Sequence, residues 1–301
     1  MKTRSMITFD WAMKDLLRQK ANFEILEGFL SEVIRRKITI RNIGESEGNK
    51  TDANDKSNTV DILSEADNRE IVIIELQYEG EDDYFHRMLY GVSKSITEYI
   101  HKGEPYANIR KVYSINIVHF DLGAGDDYVY HGITKFTGLH TQSELLLTKK
   151  QRQLYTIEHI SDLYPEYYII KAGKFGEEIK DTLDEWIYYL KTSKIRDEFT
   201  AQGMDKAREI LAYDNLSDAD KKAYWQRIEE RRVKESEFRT AYTDGEIKGL
   251  EKGEAIGLEK AKINMVINSH RAGLSIETIS AITGLSTEKI LSTLSYLGAN
   301  R

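Results

Sequence analysis

Three residues in the run TVDILSEADNREIVIIELQ, Thr59 to Gln77, have the types and spacing to do chemistry together: Asp61, Glu75 and Gln77. Two β-rich stretches, Thr59 to Glu65 and Glu70 to Tyr78, flank Ala66-Asp67-Asn68-Arg69, a polar segment of the kind that joins antiparallel strands. A loop at Asp67-Asn68-Arg69 sets Asp61 directly opposite Glu75, with Cβ atoms about 5 Å apart. Side chains alternate along a strand. Gln77 therefore shares the face of Glu75, whereas Val60, Ile62, Val72, Ile74 and Leu76 supply the opposite, apolar face.

Two carboxylates so placed repel one another, and their face also carries Leu63, Ile71 and Ile73, so something must offset both the repulsion and the partial burial. A hard divalent cation would do so. Magnesium takes oxygen ligands, keeps several waters and commonly uses one or two protein carboxylates together with substrate phosphate. Such an ion lowers the pKa of a bound water and neutralises charge on a phosphodiester in its transition state. The plainer alternative is a strand edge whose acids only discourage aggregation.

The elements around the hairpin read helix, strand, strand, strand, helix, strand. Phe23, Leu26, Phe29, Leu30 and Val33 recur at helical spacing and predict a helix packed on a sheet, followed by a strand over Lys37 to Ile43. Asp82 to Lys102 reads as a long helix ended by Gly103 and Pro105, after which VYSINIVHF is a buried strand and Tyr128 to Thr134 another. Strand, crossover helix and return strand imply a mixed α/β sheet.

Taken with these segments, the chain resembles the PD-(D/E)XK nuclease superfamily, and within it the Rpn group of recombination-promoting nucleases and transposases. The resemblance rests on D…ExQ at Asp61, Glu75 and Gln77, with glutamine where the wider superfamily has lysine. It rests also on the opening DWAMKDLL with FEILEGFLSEVI, and on YFHRMLYGVSKSITEYIHKGEPY, which carries Arg87 and Tyr90. Together these cover roughly residues 8 to 130, and their occurrence in order is far more specific than any one of them. The resemblance implies a restriction-endonuclease-like α/β core, a divalent metal held by Asp61 and Glu75, and DNA as substrate in recombination or transposition-like processes. Gln77 would orient the attacking water or a phosphate oxygen, without the positive charge of lysine. Lys14 is the candidate to replace that charge if the first helix folds over the site. Asp10 and Glu27 are candidates to complete the metal shell, with Arg87 and Tyr90 as further accessory positions.

Composition permits this reading. The 301 residues are 40% hydrophobic and 10% aromatic, enough for a substantial core rather than a disordered chain. The absence of cysteine removes disulfides and thiolate metal sites and suits a reducing cytoplasm. No apolar stretch approaches the roughly 18 residues needed to span a bilayer, and the start MKTRSMITFDWAMKDLL places acids inside its would-be apolar segment. A soluble, unexported cytoplasmic protein is expected. The net charge of −7 argues against a sequence-independent DNA coat. Local patches, Arg35-Arg36-Lys37 with Arg41 and Lys149-Lys150-Gln151-Arg152, are the candidate phosphate contacts. His119 and His131 show no spacing that marks a ligand set and read as structural or surface groups.

From Glu177 to Phe238 the pattern is helical and highly charged. Thr182 to Leu190 is an amphipathic helix whose Trp186, Tyr188 and Tyr189 are better suited to packing than to base stacking, and Asp218 to Glu237 a long solvated helix with interleaved Arg and Glu. Gly245, Gly249, Gly253 and Gly257 follow at four-residue spacing, also a trait of the Rpn group's tail. Each costs a helix about 1 kcal/mol relative to alanine, so the stripe calls for a close helix partner or disorder. Beyond it lie short helices broken at Gly273 and Gly284 and N-capped by Ser275 and Ser286. They resemble a helix-turn-helix unit, yet Thr287 to Leu297 offers mainly Lys289 for reading bases, and an assembly module fits at least as well.

The expected organisation is a nuclease-like core over 1–175, a charged helical region over 176–240, and a Gly-repeat helix with a helix-turn-helix-like assembly module over 241–301. The expected function is a DNA endonuclease using Mg²⁺, with Mn²⁺ able to substitute, paired as a homodimer through its C-terminal helices. The alternative is a catalytically weak or inactive nuclease fold kept for DNA binding or assembly.

Overall fold

The computed structural model describes residues 3–44, 61–66, 69–100 and 103–298. Its main sheet has six strands in the order β2-β3-β4-β5-β7-β6: β2 (Ile40–Gly44), β3 (Ile62–Ala66), β4 (Ile71–Gln77), β5 (Val112–Val118), β7 (Glu166–Lys171) and β6 (Val129–Gly132). β2, β3 and β4 form an antiparallel meander, β5 and β7 run parallel to β4, and β6 closes the far edge antiparallel to β7. β5 lies in the middle and is buried along its whole length, its two polar residues, Ser114 and Asn116, included. A separate ribbon pairs β1 (Thr3–Ser5) with β8 (Lys194–Arg196).

The parallel step from β4 to β5 is made by helix α3 (Tyr84–Glu98). Tyr84, Met88, Gly91, Val92 and Ser95 recur at three- and four-residue steps and are its buried residues. Of these, Val92 clusters with Ile71, Ile73 and Val112, and Tyr84 and Met88 with Val118 and Leu122, on one face of the sheet. The helix stops at Glu98 because Tyr99 turns out of helical geometry to pack on this layer, with the Arg110 guanidinium 4.6 Å above its ring. On the opposite face Ile62, Val72 and Ile74 are fully buried. The sheet is thus covered on both sides, an α/β restriction-endonuclease-like fold.

Ahead of the sheet come α1 (Phe9–Asp15) and α2 (Phe23–Ile34). The stretch after α2 expected to be strand begins only at Ile40, because the amides before it are bound to the helix: Ile38 N donates to Ser31 Oγ at 2.9 Å and Ile40 N to a Glu27 carboxylate oxygen at 2.7 Å. Aromatic rings tie these helices to α5 (Thr182–Thr192). Phe29 lies 5.4 Å from Phe9 and 5.7 Å from Trp186, and Tyr189 donates its hydroxyl to Ile7 O at 2.8 Å. Trp186, Tyr188 and Tyr189 are buried, as packing residues should be. Gly28 lets α2 meet the turn before α6 (Met204–Ile210): a Cβ there would stand 2.1 Å from Gln202 O.

The chain divides into two compact units, Met1–Gln226 and Arg227–Arg301. The division falls within α7, which runs as one helix from Asp218 to Arg271, well past the span expected from its charged half. A Cβ at any of its four spaced glycines would meet nothing within 4 Å, so among the described residues no neighbouring helix packs against them, and the helix runs through them without a break. After Gly273 come α8 (Ile276–Thr283) and α9 (Thr287–Gly298), with Ser275 capping α8 through the Thr278 amide and Gly284 ending it in the left-handed region. Val266, Ile279 and Ile290 are fully buried within this unit, so part of the tail's apolar surface is covered by its own helices, while Ile282 and Leu291 remain more than half exposed. No helix among the described residues is long and apolar enough to cross a membrane.

Candidate active site

The site lies where β3 and β4 end together. Ile62 pairs with Ile74 and Leu63 with Ile73, the register expected from the turn, with Arg69 at φ 62° helping to close it. Asp61 stands one residue before β3, and there the ladder changes character. Instead of another backbone carbonyl, the Asp61 carboxylate accepts the Leu76 amide at 2.7 Å. Arg18 on the other side donates to the Asp61 carbonyl at 2.9 Å. A charged oxygen thus ends the ladder next to Glu75, close enough to push the Glu75 pKa up.

Glu75 is 5% exposed. Burial is the main reason its pKa is raised, and it outweighs the attraction of Arg87, which donates from Nε at 3.0 Å and Nη2 at 2.6 Å to Glu75 Oε1. Arg87 comes from the first turn of α3, and its Nη1 donates to Glu81 Oε1 at 2.7 Å. For Arg87, burial alone would lower the pKa, but the two glutamates prevail and raise it. Gln77 shares in this: its Nε2 donates to the same Glu81 oxygen at 2.9 Å. Beneath them Tyr84 is fully buried, its hydroxyl 3.4 Å from Asn116 Oδ1 on the neighbouring row of β5, and burial with the nearby carboxylates drives its pKa far up. Asn116 is itself held by Ser114 Oγ and Tyr168 O.

Three carboxylates, an amide and a guanidinium therefore meet at the ends of two strands, on the face covered by α3. Comparison with known proteins bears on what such a group is for. The family described as PD-(D/E)XK nuclease family transposase matches residues 7–241, a span that contains the whole arrangement. The chain belongs to this family. No curated protein and no solved structure matches it.

PD-(D/E)XK nucleases usually use divalent metals, and the donor set here suits one. Among the described residues no three His, Cys, Asp or Glu side chains are gathered as a ready cation shell. Two carboxylates suffice for Mg²⁺, which completes its shell with water and phosphate. The hydrogen bonds to Glu75 both fall on Oε1, and so do those to Glu81, which leaves Oε2 of each as a hard donor.

The other candidate positions are placed variously. Arg87 is central, whereas Tyr90, also on α3, is partly exposed. Glu27 bonds the Ile40 amide. Asp10 lies half-buried on α1, and the Lys14 side chain lies outside the described residues. Of the candidate phosphate contacts, Arg35 pairs with Asp181 at 2.6 Å and Arg36 with Glu70 and Tyr113, while Lys149 and Lys150 are exposed at the start of α4 (Lys149–Tyr155). His119 stacks on Tyr78 and His131 on Tyr168. Glu81, Tyr84 and Asn116 escaped the motif reading. Glu81 is one acid in the run EGEDD, with nothing in its spacing to single it out, and Asn116 is a lone amide within an apolar strand.

Proposed function

We propose that the chain is a cation-dependent endonuclease that hydrolyses phosphodiester bonds of DNA in recombination or transposition-like processes. The observation that carries this reading is the meeting of Asp61 with a buried, ionisable Glu75 at the ends of β3 and β4 in a PD-(D/E)XK family member. Asp61 and Glu75 would hold Mg²⁺, or Mn²⁺ in its place, which would supply Lewis-acid stabilisation of the phosphate and a water of lowered pKa. Gln77 would orient the attacking water: with Nε2 tied to Glu81, its carbonyl is left to accept a hydrogen bond. Asn116 and Tyr84 hold the floor of the site in neutral, hydrogen-bonded form. The chemistry is assigned to residues 1–175 and acts in the cytoplasm. Residues 176–240 serve as a charged helical region, and the tail from 241 pairs two copies, its glycine stripe and the exposed Ile282 and Leu291 being the surfaces available.

The test is incubation of supercoiled and linear DNA with the protein in Mg²⁺, Mn²⁺, Ca²⁺ or EDTA, beside Asp61→Asn and Glu75→Gln. Nicking or linearisation with Mg²⁺ that both substitutions remove is expected, and cleavage that survives both would take this site out of the reaction. A second reading, a nuclease fold retained for DNA binding or assembly, draws support from the uncharged Gln77 and from the ion pair that already satisfies Glu75. DNA binding without cleavage under every cation would establish it.

A further inference from the structure

Gln77 carries no charge, yet a scissile phosphate gains negative charge in the transition state that an adjacent cation stabilises. The structure shows where a cationic group meets the amide. Glu81 Oε1 accepts from Gln77 Nε2 at 2.9 Å and from Arg87 Nη1 at 2.7 Å, so amide and guanidinium lie within two hydrogen-bond lengths of each other. The other edge of the guanidinium, Nε with Nη2, grips Glu75. Its side chain is 30% exposed against 6% for that of Glu75, so Arg87 reaches both the buried carboxylate and the solvent from which DNA arrives. Three of the five guanidinium N–H groups are taken by the two glutamates, which leaves one on Nη1 and one on Nη2 to meet a phosphate oxygen.

We propose that Arg87, delivered by α3 and tethered beside Gln77 through Glu81, is the catalytic residue that places positive charge on the scissile phosphate, in place of a lysine at position 77. This rests on the nuclease reading above. It also gives Glu81 a positioning role, since one carboxylate oxygen fixes both the group that orients water and the group that meets phosphate.

The experiment compares full-length wild type, Arg87→Gln, Arg87→Lys, Gln77→Lys and the double variant Gln77→Lys with Arg87→Gln. Single-turnover cleavage of supercoiled plasmid in Mg²⁺ is measured beside the affinity for a fluorescent DNA duplex in Ca²⁺ and the melting temperature. Glutamine at 87 keeps hydrogen bonding to the glutamates but removes the charge, so a fall of about 100-fold or more in cleavage is expected, with duplex affinity changing far less. Lysine at 87 should fall between, having the charge but too few donors to hold both glutamates and a phosphate. The double variant should recover about 10-fold over Arg87→Gln, because a cation returns at the neighbouring position. A folded Arg87→Gln that cleaves at the wild-type rate overturns the proposal. So does a folded double variant with no recovery. Should Arg87→Gln fail to fold, Arg87→Lys decides, and a folded Arg87→Lys that has lost cleavage altogether although it keeps the charge overturns the proposal. A wild-type chain that cleaves under no cation removes the nuclease reading itself, an outcome distinct from all of these.

Discussion

Replacing Asp61 by alanine and by asparagine separates two duties that one carboxylate performs. The Leu76 amide sits at the buried end of β4, 6% exposed, and its acceptor is the Asp61 side chain at 2.7 Å rather than another backbone carbonyl. Alanine strands that donor. A buried polar group left without its partner costs about 1–3 kcal/mol. For a folded unit of this size, each kcal/mol shifts the melting temperature by about 2–4 °C, so Asp61→Ala should melt about 2–12 °C below wild type. Asparagine keeps a carbonyl oxygen for the amide and also relieves repulsion with Glu75, and its melting temperature should lie within about 2 °C of wild type. Both variants should lose the rise in melting temperature that Mg²⁺ or Mn²⁺ produces in wild type, since neither retains the charge. Thermal melts by circular dichroism with and without cation supply all the numbers. Equal stability of the two variants would refute the claim that Asp61 ends the β3–β4 ladder, and undiminished cation stabilisation in Asp61→Asn would remove it from the metal site.

Glu75→Gln should be neutral or stabilising at pH 7 to 8. Burial raises the Glu75 pKa in the folded chain, so its contribution to stability is complete below the ordinary value near 4.5 and is lost as pH rises through the folded value. The advantage of glutamine should therefore vanish on acidification, and Arg87, still paired with Glu81, is not left stranded. Denaturant titrations from pH 4 to 8 check this, a constant difference counting against it. Gly28→Ala should destabilise by about 1–3 kcal/mol or more even though alanine favours helix, because its Cβ would collide with the Gln202 backbone. Urea melts of that variant read the loss directly. In α7, alanine at Gly245, Gly249, Gly253 and Gly257 should add up to about 1 kcal/mol of helix stability each, there being open space around them in this chain. If the stripe is the contact between two copies, light scattering will show the fourfold variant, like a chain ending near Thr240, as a monomer beside a dimeric wild type. Identical particle masses in all three would refute tail-driven pairing.

Much of this protein could be read along the chain. Alternation in TVDILSEADNREIVIIELQ determines which side chains share a face, and the polar turn determines the register, so Asp61 beside Glu75 followed from spacing alone. The periodic apolar residues of α2 and α3, and the Val and Ile residues of β5, likewise announced their own burial. These are local properties, set by backbone geometry that repeats every two or every 3.6 residues. What α3 does once it crosses the sheet is not local. Its first turn brings Arg87 down on Glu75, twelve residues earlier, and its position also decides that Glu75 is buried, that Glu81 bridges Arg87 to Gln77, and that Tyr84 meets Asn116. The start of β2 shows the same division, since Glu27 and Ser31 claim amides that the sequence pattern assigned to a strand. Even the Asp61 carboxylate, which the sequence pattern sets opposite Glu75, holds the Leu76 amide as well. Periodicity tells each side chain which way to face, but the partner that neutralises a buried charge depends on which element lands above it, and only the packed structure determines that.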